Sequence, residues 1–207
     1  MIIAISGPDG AGKTTQISKL EERYSKKQKN IYVVWCRFFH LFTLFPLFLG
    51  RILNITKYIS FEDGKVGFKN FSRFPLIQLY LFFLWLDYLL LYLKNIFVTR
   101  VLKFDIVLYD RHVFDLLVDI YIDCRLKSTD SIYLKPFKLF IDKSITYLFL
   151  LTDYRNFVNR RRDLMYDHTI KQKIQIYNKL ANEYNIVVFD ASDSPDLIHA
   201  KIINYVE

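Results

Sequence analysis

The fold is decided by one stretch near the amino terminus, Gly7-Pro8-Asp9-Gly10-Ala11-Gly12-Lys13-Thr14-Thr15. It follows a short apolar run at 2–5 and precedes a helical pattern. Glycines let backbone N–H groups curl around a polyphosphate, and the N-terminus of the next helix adds partial positive charge. At this spacing Lys13 can reach the β- and γ-phosphates of a nucleoside triphosphate, and the Thr14 hydroxyl can ligate Mg²⁺. The stretch therefore predicts a phosphate-binding loop between a strand and a helix.

The composition describes one basic, globular domain. The chain has 207 residues, 52% of them hydrophobic, and a formal net charge of +8. This excludes a disordered chain and predicts a single domain, 1–207, with a substantial core. A basic surface suits nucleotides, nucleic acid or anionic lipid, and charge alone does not separate these partners. Cys36 and Cys124 are too few for a disulfide framework, so we predict buried, reduced thiols. No secretory signal pattern opens the chain, and we expect a cytoplasmic protein.

Strand and helix patterns alternate along the chain, which predicts a parallel α/β sheet. Strands are predicted at 2–5, 31–35, 104–109, 146–151 and 186–189. Helices are predicted at 14–26, 76–94 (extending towards 100), 113–126 and 171–184, and a last one opens at Ser194-Pro195. Short helices are expected within 38–59, and 60–73 is expected to be an exposed connection.

Residues 74–93 form an apolar stretch long enough to span a bilayer. Asp87 opposes this interpretation, because a charge in lipid is costly. We therefore predict a helix buried in the core or in a dimer interface. Tyr80, Asp87 and Lys94 recur every seven residues and form one stripe, which fits either a polar pocket or a partly exposed seam.

Charged residues follow two of the predicted strands. Arg37 comes after the second strand, at the edge where α/β sheets bind ligands. Asp110 ends the third strand, and its carboxylate can hold Mg²⁺ or the waters of Mg²⁺. Arg111 beside it can clamp a phosphate. His112 is predicted to be a packing residue.

The next helix carries Asp115, Asp119 and Asp123 at intervals of four residues, on one face. Such a stripe could form a metal- or hydroxyl-binding face, and a solvated face is the default interpretation. Asp115 is the functional candidate, because it lies one turn from Asp110 and Arg111.

An arginine-rich segment follows the fourth strand. It spans about 154–168 and predicts a mobile lid whose cations stabilise a phosphoryl group in transit. A basic helix surface is the alternative. The arginines concerned are Arg155, Arg160, Arg161 and Arg162.

Together these pieces resemble the thymidylate kinase family of nucleoside monophosphate kinases. The resemblance rests on 7–15, Asp110-Arg111-His112, the arginines within 155–162, and Val188-Phe189-Asp190-Ala191-Ser192. It implies a three-layer P-loop fold, with a five-stranded parallel sheet, helices on both faces and an arginine-rich lid. It also implies a homodimer and Mg²⁺-dependent transfer of the ATP γ-phosphate to dTMP, giving dTDP.

The resemblance assigns roles by position. Residues 7–15 would bind ATP, with Lys13 on its phosphates and Thr14 and Asp110 on Mg²⁺. Asp9 would lie close to the acceptor, and Arg37 and Arg111 would grip the acceptor phosphate. The lid arginine of the family would correspond to one of Arg160, Arg161 and Arg162. The loop near adenine would be Asp190, Ala191 and Ser192.

The chain also departs from the family pattern. Phe38 to Leu41 replace the usual Glu-Pro-Gly-Gly after Arg37, and an arginine usual on the long helix is missing after Asp87. Phe83 or Trp85 could stack on the acceptor base instead, with Asp87 and Asp115 as further acceptor ligands. The changes are similar to a divergent, thymidylate-kinase-like branch.

We therefore expect a nucleoside monophosphate kinase, with dTMP the first acceptor to test. A nucleoside kinase would need a carboxylate after the second strand to activate a neutral hydroxyl, where this chain has Cys36-Arg37. A third possibility is a nucleotide-binding protein without turnover that docks to a membrane or partner through 38–59 and 74–93. Nucleic acid is not an expected partner, and a membrane is the less favoured one.

Overall fold

The computed structural model describes residues 1–36, 41–61, 64–160 and 162–207. Its strands are β1 (Ile2–Ser6), β2 (Ile31–Trp35), β3 (Thr56–Phe61), β4 (Gly64–Lys69), β5 (Ile106–Asp110), β6 (Thr146–Leu151) and β7 (Val187–Asp190). Its helices are α1 (Lys13–Lys26), α2 (Leu44–Ile52), α3 (Leu76–Leu102), α4 (Val113–Asp123), α5 (Lys135–Lys138), α6 (Tyr154–Arg160), α7 (Ile170–Tyr184) and α8 (Pro195–Val206), with a 3₁₀ helix at Arg162–Tyr166.

Five strands form one parallel sheet in the order β2-β5-β1-β6-β7. This confirms the predicted α/β class, and each strand lies within two residues of its predicted position. β1 is central and almost fully buried, as its apolar sequence requires. Its register sets Ile5 opposite Asp110 on one side and Ser6 opposite Phe149 on the other. The phosphate-loop motif therefore begins at the carboxyl edge of the sheet, beside Asp110.

Two helical layers cover the sheet. α1 and α8 pack on one face through Ile17, Leu20 and Ile202, against Ile3 and other strand residues. α3, α4 and α7 enclose the larger core on the opposite face. Cys36 and Cys124 are buried and unpaired, as predicted.

The expectation of an exposed connection at 60–73 is wrong. Residues 56–61 and 64–69 pair as an antiparallel hairpin, β3-β4, separate from the main sheet. Gly64 and Gly67 indicated a loop in the sequence, but both lie within β4, opposite Phe61 and Tyr58. Glycine marks a break in a local pattern, and it does not exclude pairing between neighbouring segments.

α3 runs for 27 residues and combines a buried face with an exposed apolar face. Tyr80, Leu84 and Tyr88 are buried, whereas Phe82 and Phe97 are 57% and 67% exposed. Residues Leu76–Thr99 are long and apolar enough to cross a membrane by length and composition alone, with 33% of the most apolar window buried. Helices in the core of globular proteins share these properties, so this is weak evidence for a membrane span.

Candidate active site

The phosphate-binding loop depends on glycine at both of its ends. Gly7 has φ 151°, and a Cβ at this position would lie 2.4 Å from the carbonyl oxygen of Leu150 on β6. Gly12 has φ 86° and is the N-cap of α1, with no side chain capping the helix. The first N–H groups of α1 therefore lack helical partners and face the loop, where they can bind phosphate oxygens.

Lys13 lies inside this loop. Its Nζ donates hydrogen bonds to the carbonyl oxygens of Gly7 at 2.8 Å and Pro8 at 2.7 Å. Burial, followed by the charge of Arg111, lowers the pKa of Lys13 to about 8. The ammonium group is thus held by neutral carbonyls at the place where the motif predicts the β- and γ-phosphates.

Thr14 and Asp110 meet beside the loop. Thr14 Oγ1 donates a 2.7 Å hydrogen bond to Asp110 Oδ2, across 96 residues of sequence. Thr14 is exposed, whereas Asp110 is buried. A hydroxyl and a carboxylate are oxygen ligands that suit Mg²⁺, which takes its other ligands from phosphates and water. Within the described residues no group of three or more His, Cys, Asp or Glu side chains could hold a metal ion.

Arg111 lies next to the loop, where Asp9 of the loop pairs with it. It has φ 73° and forms ion pairs with Asp9 and, at 3.1 Å, with Asp115. Burial lowers the pKa of Arg111, but the charges of Asp115 and Asp9 together raise it by more than burial lowers it. The net shift is upward, and the guanidinium stays charged. Two carboxylates therefore hold this cation next to the phosphate-binding loop.

Asp115 is the centre of this arrangement. Its Oδ1 accepts hydrogen bonds from the Gly7 N–H at 3.4 Å, Arg111 at 3.1 Å and the Tyr177 hydroxyl at 2.8 Å. Its Oδ2 accepts from the His112 N–H, which completes the capping box of α4. The carboxylate is buried and fully engaged, which favours a positioning role for Asp115 over the acceptor contact predicted from sequence.

His112 is a packing residue, as predicted. Its ring is buried and contacts the rings of Tyr109 and Tyr147. Burial lowers the pKa of His112 to about 4, so it is neutral near pH 7.

Asp87, predicted to contact the acceptor, has its hydrogen-bond partners within the protein. Its carboxylate is 2% exposed and accepts hydrogen bonds from the N–H groups of residues 41, 42 and 43 and from the Thr43 hydroxyl. It thus anchors the segment that leads into α2. Phe83 packs against Phe45 of α2 and Phe82 of α3, so the structure adds no support for base stacking.

The Tyr80, Asp87 and Lys94 stripe does not line one pocket. Tyr80 is fully buried, stacks on Phe71 and donates a 2.9 Å hydrogen bond to Asp123. Lys94 is exposed. Asp115 and Asp123 are both hydrogen-bonded inside the protein, so the expectation of a solvated carboxylate face on α4 is also wrong.

The remaining predicted residues are placed as follows. Arg160 is exposed at the end of α6, which is anchored by the buried ring of Phe157. Asp190 ends β7, and Ala191 N donates to Leu151 O at 2.7 Å, which puts this loop at the same sheet edge as the phosphate loop. Arg37, Arg161 and the side chain of Arg162 lie outside the described part of the structure.

Tyr177 is a site residue that the sequence did not reveal. It lies within the predicted amphipathic helix at 171–184, where an aromatic residue on the apolar face indicates only packing. Its hydroxyl partner, Asp115, is 62 residues away, and no local pattern predicts that contact.

The fold is similar to that of two solved structures. The YorR protein of Bacillus subtilis, in complex with phosphorylated GDP, is 18% identical, with 100% of this chain and 95% of that chain covered and a TM-score of 0.56. Thymidylate kinase from Ehrlichia chaffeensis is 19% identical, with 100% and 98% covered and a TM-score of 0.53. No family model and no curated protein sequence matches the chain. At these identities the similarity establishes a fold of the P-loop kinase type, and nothing about substrates.

Proposed function

We propose that this chain is a nucleoside monophosphate kinase that transfers the ATP γ-phosphate to dTMP. The observation that carries the proposal is the position of Arg111. The guanidinium is fixed by Asp9 and Asp115 beside a loop that holds Lys13 and the Thr14–Asp110 pair. Two cationic groups beside one loop, Lys13 and Arg111, suit a reaction between two phosphates.

The donor would bind on the phosphate loop. The free N–H groups at the start of α1 would receive the β-phosphate, and Lys13 would exchange its carbonyl partners for phosphate oxygens. Thr14 and Asp110 would hold Mg²⁺, which neutralises charge on the β- and γ-phosphates when bound. Asp190, Ala191 and Ser192 would lie near the adenine, since they follow β7 at the same edge of the sheet.

The acceptor would bind on the Arg111 side. Arg37 is the second proposed cation, because it follows Cys36 in the sequence, and Cys36 N donates to Asp110 O at 3.1 Å. The acceptor phosphate is already ionised, so its oxygen can attack without a strong general base. Lys13, Arg111 and the lid arginines would then supply the rate by positioning and charge neutralisation.

The neighbours in fold support a phosphotransferase of kinase type in general. An arginine rather than a carboxylate after β2 favours a phosphate-bearing acceptor over a nucleoside. The likeness to a thymidylate kinase puts dTMP first on the list of acceptors. We further propose a homodimer, with the exposed apolar face of α3 as its interface, and a cytoplasmic location.

The test measures ADP release in a coupled assay with each member of a panel of nucleoside monophosphates and nucleosides. Lys13→Ala is the negative control. Turnover with dTMP well above that with other acceptors supports the proposal. ADP release that is equal with and without any acceptor identifies an ATPase and refutes it. Turnover with nucleosides but not their monophosphates identifies a nucleoside kinase instead.

A further inference from the structure

α2 is amphipathic in the opposite sense to a helix that covers a core. It buries its small residues, Pro46 and Gly50. A surface helix of a globular protein normally buries its large apolar side chains and exposes polar ones. In α2 the large apolar side chains on one face are between 52% and 61% exposed, and they are Leu44, Phe45, Phe48 and Ile52. The outer side of α2 is thus an open apolar surface in the described part of the protein.

The fold holds α2 in this orientation. The buried carboxylate of Asp87 on α3 accepts hydrogen bonds from the N–H groups of residues 41, 42 and 43 and from the Thr43 hydroxyl. Thr43 is the N-cap of α2. The Phe45 ring also packs edge-on against Phe83 of α3, with 5.8 Å between the ring centroids. The start of the helix is therefore fixed, and fraying of a loose segment does not account for the exposed side chains.

A cationic cavity adjoins the end of this helix. It has a volume of about 490 Å³ and is lined by Leu53, which directly follows α2, and by Lys69, Arg73 and Arg125. None of the described residues that line it is acidic. Lys69 pairs with Asp123 at 3.3 Å, whereas Arg73 and Arg125 are exposed and have no carboxylate partner among the described residues. Three cations thus converge on one cavity, which suits a ligand that carries negative charge.

The surrounding sequence has the same sign of charge. Residues 41–103, from the start of the α2 anchor to the end of α3, contain eight lysines and arginines against three aspartates and glutamates. This stretch thus carries +5 of the net charge of +8, although Asp87, one of the three acidic residues, is buried. Phe74 is 73% exposed, so a large aromatic side chain is exposed directly after Arg73 of the cavity.

An apolar helix face beside a group of cations matches the surface of an anionic membrane. Large exposed apolar patches mark sites of interaction with proteins or membranes. Helices that lie in the bilayer interface insert Phe and Leu side chains at the acyl boundary, while basic residues attract anionic head groups. The cytoplasmic leaflet supplies anionic lipids. A second copy of this chain would match the apolar face, but it would bring further positive charge to the cationic cavity, since the chain is basic.

We propose that α2 and the adjoining cationic cavity dock this protein reversibly onto an anionic membrane surface. Leu44, Phe48 and Ile52 would enter the boundary between head groups and acyl chains, and Arg73 and Arg125 would bind lipid phosphates. Binding strength scales with the buried apolar area, which is small for one nine-residue helix, so the bound protein would exchange with free protein.

This docking differs from the membrane span considered for residues 74–93. α3 keeps its buried face in the core, and only α2 and the cavity would contact lipid. The docking also does not depend on the kinase reaction, because its side chains lie outside the phosphate-binding loop and the 110–115 segment.

The experiment is co-sedimentation of the protein with lipid vesicles. One set of vesicles is phosphatidylcholine alone, and the other is phosphatidylcholine mixed with phosphatidylglycerol. The apolar variant combines Phe48→Ser with Ile52→Ser. The cationic variant combines Arg73→Gln with Arg125→Gln.

Each variant has a matched control. Leu139→Ser changes an apolar side chain that is 79% exposed but lies after α5. Lys29→Gln combined with Lys143→Gln removes two exposed charges that precede β2 and β6 and so lie at the amino edge of the sheet. Thermal melts confirm that all variants are folded, and ADP release without lipid should match wild type in each of them.

We expect wild type to bind the anionic vesicles about 10-fold or more tightly than phosphatidylcholine alone, and added salt should weaken this binding. The apolar variant should lose about 10-fold or more in affinity for the anionic vesicles, because two apolar side chains no longer enter the lipid. The cationic variant should lose about 10- to 30-fold, since each basic residue near an anionic surface contributes about fivefold. Both controls should bind as wild type does.

Three results would overturn the docking proposal. The first is a wild type that binds neither kind of vesicle. The second is binding that both variants retain at full strength, or that Leu139→Ser reduces as much as the apolar variant does. The third, measured by light scattering without lipid, is a wild-type dimer that the apolar variant converts to a monomer, which would show that a second copy covers α2.

Discussion

Tyr177 donates a 2.8 Å hydrogen bond to Asp115 Oδ1, the same oxygen that accepts from Arg111 and from the Gly7 N–H. A residue of α7 is thus connected through one atom to both the proposed acceptor cation and the phosphate loop. The position of Arg111 therefore depends on α7, which lies outside the phosphate-binding loop.

The first prediction concerns Tyr177. Tyr177→Phe keeps the ring packing against Phe149 and removes only the hydroxyl. We expect kcat/KM for the acceptor to fall about 5- to 10-fold, the effect of one hydrogen bond of about 1 kcal/mol, with little change in the KM for ATP. Steady-state kinetics with each substrate varied in turn check this. Tyr184→Phe, the same change near the end of α7, is the control and should leave both constants unaltered.

Lys13 provides the second prediction. Lys13→Ala removes the cation from the centre of the loop, and we expect turnover to fall about 1,000-fold or more, since charge stabilisation is the main contribution in phosphoryl transfer. Lys26→Ala is the matched control, because its ammonium group lies on the exposed surface and pairs with Glu22. Activity of Lys13→Ala close to wild type would contradict the proposed mechanism.

The lowered pKa of Lys13 leads to the third prediction. With a pKa of about 8, the side chain is about half deprotonated at pH 8. A bound polyphosphate favours the ammonium form and raises this pKa, so ATP binding should take up about half a proton at pH 8 and less at pH 6.5. Calorimetry in buffers with different ionisation enthalpies measures the uptake. Lys13→Met should abolish it, and equal heats in all buffers would contradict the role of Lys13.

Asp110 is the subject of the fourth prediction. Asp110→Asn keeps the shape of the side chain but removes the charge that would hold Mg²⁺ or its waters beside Thr14. We expect the Mg²⁺ concentration for half-maximal activity to rise about 10- to 100-fold. A titration of MgCl₂ at fixed ATP measures this. Asp142→Asn, a carboxylate that instead binds Ser144, is the control and should leave the Mg²⁺ dependence unchanged.

The fifth prediction concerns the stability cost of Asp119. Its pKa in the folded protein is about 6, above the ordinary value of 3.8, so the folded state favours the protonated form. Asp119 therefore contributes most favourably to the free energy of unfolding below pH 4, and this contribution is lost as the pH rises through 6. Asp119→Asn should avoid the loss and stabilise the protein by about 1–3 kcal/mol at pH 8, with little effect at pH 4.

Denaturant unfolding of both proteins across this pH range measures the difference. Asp123→Asn should have the opposite effect and destabilise, because it weakens bonds to Tyr80 and Lys69. A variant Asp119→Asn that is less stable than wild type at pH 8 would show that the carboxylate has a partner in the folded chain.

The sequence was sufficient for the sheet and for the glycine-rich loop at its carboxyl edge. Glycine spacing, an apolar strand and a following helix are local signals, so the loop at 7–15 and the β5 end at Asp110 and Arg111 were predicted from residues next to one another. Strand ends also gave correct positions, because parallel strands finish at a common edge.

Long-range contacts account for what the sequence missed. The partners of Asp115 and Asp87 come from segments 62 and more than 40 residues away, and an aspartate looks the same in sequence whether it caps a helix, holds an arginine or faces water. The hairpin at 56–69 was missed for a different reason. Its glycines lie inside a strand. A prediction from the local pattern treats such glycines as loop residues, because the local pattern does not reveal the strand that pairs with them.

The central place of β1 in the sheet also determines when the site can first exist. β1 is made before its two neighbours, β5 and β6, which are about 100 and 140 residues further along the chain. The Asp110 contact to Thr14 and the Leu150 carbonyl against Gly7 both come from those late strands. Pairings at such separations are slow and follow chain synthesis. The contacts that complete the phosphate-binding loop can therefore form only after β5 and β6 have been made.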